Sequence, residues 1–224
     1  MAISALEKVW RMSIWATQFE SIGDNCELGF VQRRKGFDQG SLLKWCRIMS
    51  HKDLICFLNA PQDQFYLREN LVPAWNDMIT DQSSGIQYHT TLHSQKTDAG
   101  RHFIDSGDAF NKKYKSDFEK KTYMYNKLFT ELRKGEKVYV YKMNGKNDIS
   151  MAEEILSSLR MLNDRNRLLY VTDQVPAKAG TVERVGENLF HGFIQQFAPY
   201  NPVAATKLEY WEVMFDEAVK VIYD

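Results

Sequence analysis

Cys26 is the residue whose position in the sequence best suits it to chemistry. It follows a short predicted strand, residues 18–22, that ends at Gly23, and from Cys26 onward the apolar residues recur at helical spacing. A sharp turn between a strand and a helix lifts a side chain out of the sheet. The N-terminus of the helix favours the thiolate, and its backbone N–H groups can stabilise an oxyanion. Cys26 is therefore predicted to be an acyl-transfer nucleophile, although most free cysteines are small buried residues.

A thiol nucleophile needs a base, and the candidates are five histidines: His51, His89, His93, His102 and His191. His89 is the first choice, because it lies in a predicted strand, residues 85–92, on the face opposite Tyr88. His93, just past this strand, is the second. If no imidazole can come within hydrogen-bonding distance of the Cys26 sulfur, binding is favoured over catalysis.

Asp105 is the first candidate for orienting this base. It follows residues 101–104, which are predicted to return as a hairpin partner of the strand that carries His89. Asn147, Asp148 and Asp173 each follow a later predicted strand, and they are alternatives because sites form at the ends of parallel strands.

Four further residues are predicted to bind substrate. Asp24 and Asn25 directly precede the nucleophile, and His93 lies in a loop after the His89 strand. Arg33 begins a basic run that could bind an anionic substrate or a carrier phosphate, although a solvated helix end is the simpler explanation.

Length and composition predict one domain over residues 1–224, with an amphipathic N-terminal helix over residues 1–16 and a core from residue 17 onward. The 29 basic and 29 acidic residues balance, which argues against a broad nucleic-acid footprint. Three cysteines without a CxxC motif argue against a disulfide framework or structural zinc. Because neither a membrane span nor a signal-peptide core is found, a cytoplasmic location is expected unless the chain is part of a longer protein.

Periodicity predicts an α/β fold: a single domain with a mixed or largely parallel sheet flanked by helices, and the nucleophile at a strand-to-helix turn. Helices are predicted over 42–49, 53–58, 110–132, 150–162 and 202–222. Later strands are predicted over 137–143, 167–172 and 189–194, and residues 94–100 are predicted to be a loop. The strand–helix–strand succession over 137–172 favours a parallel crossover.

The turn at Gly23 and Asp24 and the tetrad 145–148 resemble two blocks of the serine esterases named for Ser, Gly, Asn and His. The nucleophilic serine of that family is absent. A relative that has lost its serine would bring Asn147 or Asp148, with His191, to the Gly23 turn.

No zinc, phosphate-loop or dinucleotide motif is present.

Residues 19–33 (FESIGDNCELGFVQR) and 40–45 (GSLLKW) resemble a bacterial family described as papain-like cysteine peptidases. Residues 85–90 (GIQYHT) resemble its histidine strand. The Gly-Asp-Asn-Cys turn is also similar to that of capsule-biosynthesis acetyltransferases that bind coenzyme A. The resemblance implies thiol acyl chemistry at Cys26 with His89, a link to surface-polysaccharide biosynthesis, and a fold that pairs a helical half with an antiparallel barrel-like half. This sequence departs from papain in having no glutamine shortly before Cys26.

Two classes of function remain open. One is acyl transfer through a thioester at Cys26, either to water, as in a peptidase or other hydrolase, or to a sugar hydroxyl with coenzyme A as donor. The other is a non-enzymatic module that binds a glycan or a partner protein, for which thirteen Phe, eleven Tyr and five Trp could provide stacking surfaces. The expected ligand is a small molecule, peptide or glycan, and no metal or cofactor other than coenzyme A is expected. The sequence does not indicate an oligomeric state.

Overall fold

The computed structural model describes residues 14, 15, 17–37, 39–145 and 148–223. Its strands are β1 (Phe19–Ser21), β2 (Cys46–Arg47), β3 (Leu71–Trp75), β4 (Met78–Asp81), β5 (Gln87–His89), β6 (Ser94–Thr97), β7 (Gly100–Phe103), β8 (Val138–Lys142), β9 (Arg167–Thr172), β10 (Val182–Arg184) and β11 (Leu189–Phe193). Its α-helices are α1 (Glu27–Arg34), α2 (His51–Asn59), α3 (Gly107–Lys134), α4 (Ile149–Leu162) and α5 (Leu208–Tyr223).

A five-stranded sheet lies at the centre, in the order β1-β8-β9-β11-β10. All neighbouring strands are parallel except β10, which pairs antiparallel with β11 at one edge. The predicted α/β class is therefore confirmed, as is the parallel pairing of β8 and β9 on either side of α4. Every residue of β8 is buried, as expected for a parallel strand that is covered on both faces.

Alternate residues of the central strands enter two different cores. Tyr139 and Tyr141 of β8 pack into one core with residues of α2, α3 and α4. Val138 and Val140 pack into the other with α1 and with α5, which contributes Trp211 and Phe215 among others. The sheet thus separates two apolar layers, and its strand ends are the places where polar side chains can gather.

A second, antiparallel sheet has the order β2-β5-β4-β3 and shares the first core. Cys46, Tyr88 and Ile79 are paired across its strands and are buried. The strands alternate, so Arg47 and His89 lie on the opposite, more exposed face. Strands β6 and β7 form a separate hairpin.

Several predicted elements are wrong. The helix expected over 42–49 is a 3₁₀ turn, Leu43–Trp45, followed by β2, because Cys46 pairs with Tyr88 across the second sheet. The loop expected over 94–100 contains β6, and this strand rather than β5 pairs with β7. The final helix begins at Leu208, after a short 3₁₀ turn, Val203–Ala205. Strands β3, β4 and β10 were not predicted, and nearly all of the N-terminal helix expected over 1–16 lies outside the described residues.

The long helix is confirmed. Helix α3 ends at Lys134, and Gly135 follows in the left-handed conformation with φ of 66°, which suits glycine at a helix C-terminus. Within the described ranges, every helix is either too short or too polar to span a bilayer.

Candidate functional site

The Cys26 turn has the predicted strand-to-helix geometry. Strand β1 ends at Ser21, α1 begins at Glu27, and Cys26 occupies the N-cap position between them. Gly23 has a φ of 142°, and a Cβ there would lie 3.0 Å from Tyr141 Cε2. The Cys26 side chain is partly exposed. It lies at the carboxyl end of the parallel strands, where open α/β sheets form their sites.

Three buried charges lie beside this turn. The Lys142 Nζ is 3.0 Å from Asp24 Oδ1 and 2.9 Å from Glu27 Oε2, and all three side chains are at most 2% exposed. Lys142 also donates to Asn144 Oδ1 at 2.6 Å. We refer to Asp24, Glu27 and Lys142 as the buried ion cluster. It joins the first turn of α1 to the end of β8.

Glu27 is further fixed by three donors from the C-terminal part of the chain. Its Oε1 accepts hydrogen bonds from the Ala198 backbone N–H at 3.0 Å, the Thr206 hydroxyl at 2.8 Å and the Trp211 indole N–H at 3.0 Å. These donors give hydrogen-bond partners to a carboxylate that has no access to solvent. The cluster therefore also holds the segment between β11 and α5 in place.

Asp24 is also hydrogen-bonded to this segment, through Tyr200. The Tyr200 hydroxyl donates to Asp24 Oδ2 at 2.5 Å, and Asn144 donates from its backbone N–H to the same oxygen at 3.3 Å. Burial and the hydrogen bond to the Asp24 carboxylate raise the pKa of Tyr200 above its usual value. Tyr200 thus remains a neutral donor while half of its side chain stays exposed.

The electrostatic environment keeps Cys26 protonated. Burial raises the pKa of its thiol to about 11; the nearby Lys142 ammonium opposes this increase, and Asp24 adds to it. At neutral pH the group is therefore a thiol rather than a thiolate, in contrast to the activation expected from the helix N-terminus.

The structure does not bring the predicted base to Cys26. None of the five histidines, all of which lie in the described residues, is hydrogen-bonded to the Cys26 sulfur. His89 Nδ1 instead lies 3.1 Å from Asp77 Oδ2, and both side chains are about half exposed. His93 is exposed in the loop before β6. Asp105 Oδ2 lies 2.6 Å from Lys113 Nζ. The strand that precedes Asp105, β7, pairs with β6 and not with the strand that carries His89, so the predicted hairpin is wrong.

The other predicted site residues are placed as follows. Asn25 is buried, and its Oδ1 accepts from the Glu27 backbone N–H at 2.9 Å. Its Nδ2 has no hydrogen-bond partner among the described residues. Arg33 lies near the other end of α1, with its guanidinium carbon 4.3 Å from the centre of the Trp45 ring. Asp173 accepts from the Phe197 backbone N–H at 3.0 Å, at the same carboxyl edge as Cys26.

Among the residues that the structure describes, Asp148 and His191 do not form the arrangement expected for a serine-esterase relative. Asp148 caps α4 by accepting from the Ser150 backbone N–H. His191 lies on β11, where it contacts Thr172, Tyr170 and Phe193. Asn147 lies outside the described residues.

Sequence reasoning missed Lys142, Tyr200, Arg47 and Trp75. The Arg47 guanidinium carbon lies 5.7 Å from the Trp75 ring centre and 6.0 Å from the Tyr200 ring centre. Trp75 is 52% exposed and Tyr200 is 50% exposed. We call Arg47, Trp75 and Tyr200 the ring platform. One sequence signal was available: Lys142 is a charged residue at the end of an otherwise apolar strand.

No group of three or more His, Cys, Asp and Glu side chains in the described part of the chain is arranged to hold a metal ion. Comparison of the chain with family models, curated proteins and solved structures found no match.

Proposed function

We propose that the protein binds a glycan at the carboxyl edge of the five-stranded sheet, on the ring platform. The observation that carries this proposal is the pair of exposed aromatic rings, Trp75 and Tyr200, with the Arg47 guanidinium carbon within 6.0 Å of both ring centres. Large exposed aromatic side chains that cluster on a surface mark binding sites. An aromatic ring can stack on the apolar face of a sugar. A guanidinium beside the ring can donate hydrogen bonds to the hydroxyl groups at the edge of the sugar.

The charges around the platform favour a ligand without a strong net charge. The carboxylates of Asp24 and Glu27 are balanced by the cations of Lys142 and Arg47. The buried ion cluster holds Tyr200 through Asp24, so that one ring of the platform is fixed before a ligand arrives, which lowers the entropy lost on binding.

The proposal is tested with an array of microbial surface oligosaccharides, followed by titration of each hit. Trp75→Ala and Tyr200→Ala should each weaken binding at least about tenfold, as expected for hot-spot aromatic residues. Tyr123→Ala is the matched control, because Tyr123 is an exposed aromatic residue on α3 that is 71% exposed. Equal losses in all three variants, or no binding to any array member, would contradict the proposal.

Acyl transfer through Cys26 is the second candidate. It is favoured by one observation: the partly exposed sulfur lies at the strand-to-helix corner, close enough to Lys142 for the ammonium to oppose the rise in the thiol pKa. The resemblance to thiol enzymes of polysaccharide biosynthesis agrees with this candidate. The absence of an imidazole hydrogen-bonded to Cys26, and a thiol pKa of about 11, place it second.

In this second candidate the Cys26 sulfur forms a bond with the acyl carbon of the donor, the bond between that carbon and the leaving group breaks, and the thiol proton passes to the leaving group. Water or a sugar hydroxyl then attacks the thioester, and its proton restores the thiol. Coenzyme A would be the leaving group when the donor is an acyl-coenzyme A.

Intact mass spectrometry separates the two candidates. After incubation with acetyl-coenzyme A or p-nitrophenyl acetate, an acetyl adduct located on Cys26 by peptide mapping, and absent from Cys26→Ala, would support acyl transfer. An adduct confined to the exposed Cys56, or no adduct with either donor, would leave glycan binding as the function that the site supports.

A further inference from the structure

The face of the second sheet that carries Arg47 extends the ring platform toward His89. Trp75 of β3 and His89 of β5 are both paired with Met78 of β4 across the sheet. Residues paired directly across antiparallel strands place their side chains on the same face of the sheet. Arg47 lies on this face as well, because it is paired with Gln87, two residues before His89. His89 is therefore a neighbour of the ring platform on one surface.

Two strand spacings separate Trp75 from His89. Neighbouring strands lie about 4.8 Å apart, so the backbones of these two residues are about 10 Å apart. Trp75 is 52% exposed and the His89 side chain is 47% exposed, whereas Met78 between them is only 9% exposed. A sugar ring that stacks on Trp75 therefore leaves the His89 side chain for the next sugar of a chain.

His89 and Asp77 form a polar pair beside Trp75. The His89 Nδ1 lies 3.1 Å from Asp77 Oδ2, and the Asp77 side chain is 55% exposed. This contact uses one of the two imidazole nitrogens and one of the two carboxylate oxygens. A carboxylate accepts hydrogen bonds and a sugar hydroxyl can donate them, so the half-exposed pair suits the hydroxyl groups at the edge of a sugar.

The turn between β3 and β4, which carries both Trp75 and Asp77, is held in place by its neighbours. The Trp75 backbone carbonyl accepts a hydrogen bond from the Ser94 hydroxyl at 2.6 Å. The Asn76 carbonyl accepts from the Ser94 backbone N–H at 2.8 Å, and the Asp77 carbonyl accepts from the Thr90 backbone N–H at 2.9 Å. The spacing of the Trp75 ring and the Asp77 carboxylate is therefore fixed before a ligand arrives, which lowers the entropy lost on binding.

We infer that the ligand is an oligosaccharide of at least two sugar residues, an inference that rests on the proposed glycan site. One sugar stacks on the ring platform, and the next offers hydroxyl groups to His89 and Asp77. These two side chains form a second sugar position, and they select a chain over a single sugar because only a chain reaches both positions.

The test is calorimetric titration of the full chain with fragments of one, two and three sugars, prepared from the array oligosaccharide that binds most tightly. The longer fragments should bind at least about threefold more tightly than the single sugar, since the second sugar adds hydrogen bonds. His89→Ala and Asp77→Ala should each weaken binding of the longer fragments about three- to tenfold and leave binding of the single sugar unchanged. His102→Ala and Asp98→Ala are the matched controls, because both residues are exposed on the hairpin formed by β6 and β7.

The outcomes separate this inference from the glycan proposal. Equal affinities for all three fragments, or losses in the His102 and Asp98 variants as large as those in the His89 and Asp77 variants, would overturn the second sugar position and leave the ring platform standing. An equal loss for the single sugar in His89→Ala would also overturn it, because the imidazole would then contact the first sugar. Trp75→Ala should weaken binding of every fragment. Failure of every fragment to bind the unmodified protein would instead refute the glycan site itself. Circular dichroism of each variant shows that it is folded.

Discussion

The ammonium of Lys142 lies 2.9 Å from the carboxylate of Glu27, and both side chains are excluded from solvent. This contact joins the last residue of β8 to the first residue of α1 at the carboxyl edge of the sheet. Burying three charged side chains carries a desolvation cost. Proteins accept such costs mainly at functional sites. The contact therefore identifies the edge at which the Cys26 turn and Tyr200 meet.

Replacing Lys142 by Met should strongly destabilise the protein. Asp24 and Glu27 would remain buried without their cation, and removing one partner of a buried ion pair costs about 3–5 kcal/mol of unfolding free energy. Urea denaturation measures this change. Lys134→Ala, which removes an exposed pair with Glu131, should leave stability nearly unchanged. A Lys142→Met protein as stable as the Lys134 control would show that the buried ion cluster does not support the fold.

Replacing Gly23 by Ala should also destabilise the fold, by about 1–3 kcal/mol, since a φ of 142° is accessible mainly to glycine. The added Cβ would also approach Tyr141 Cε2 at 3.0 Å and Ile48 Cδ1 at 3.1 Å. Thermal unfolding compares this variant with Gly186→Ala, where the backbone is not in the left-handed region and the nearest atom lies 3.4 Å away. Equal melting temperatures for the two variants would be inconsistent with a constrained turn at Gly23.

Alkylation by iodoacetamide should report the protonated state of Cys26. Because its pKa is about 11, the rate at Cys26 should rise about tenfold per pH unit from neutral pH until it levels off near that value. Cys56 is exposed and should react first, whereas Cys46, which is buried and has a pKa of about 12, should react last. Peptide mapping after timed quenching measures each rate. A plateau for Cys26 near neutral pH would instead reveal an activated thiolate and favour acyl transfer.

Replacing His89 by Ala should affect neither stability nor the reactivity of Cys26. His89 is paired with Asp77 on the exposed face of the second sheet, so its loss should change the unfolding free energy by no more than about 0.5 kcal/mol. The alkylation rate of Cys26 should equal that of the unmodified protein at every pH. A slower rate confined to Cys26 would show that His89 reaches the sulfur in solution and would restore it as the candidate base.

The last third of the chain was predictable because its signals are local. Periods of two and of 3.6 residues distinguish β8, α4, β9 and β11 without reference to the rest of the chain. Between residues 40 and 104 the elements are short, and their conformation depends on pairing across the second sheet. Leu43–Trp45 and β2 replace a predicted helix because Cys46 pairs with Tyr88.

The sequence alone determined the α/β class, the strand-to-helix turn at Cys26 and the long helix that ends at Gly135, since each follows from the order of neighbouring residues. Only the tertiary structure decided which side chains meet at that turn. The pairing of β8 with β1 brings Lys142 to Asp24, and the path of the segment before α5 brings Tyr200 to the same carboxylate. His89 instead lies beside Asp77. Such contacts join residues far apart in the chain, and their energies depend on burial and on donor geometry, neither of which residue spacing records.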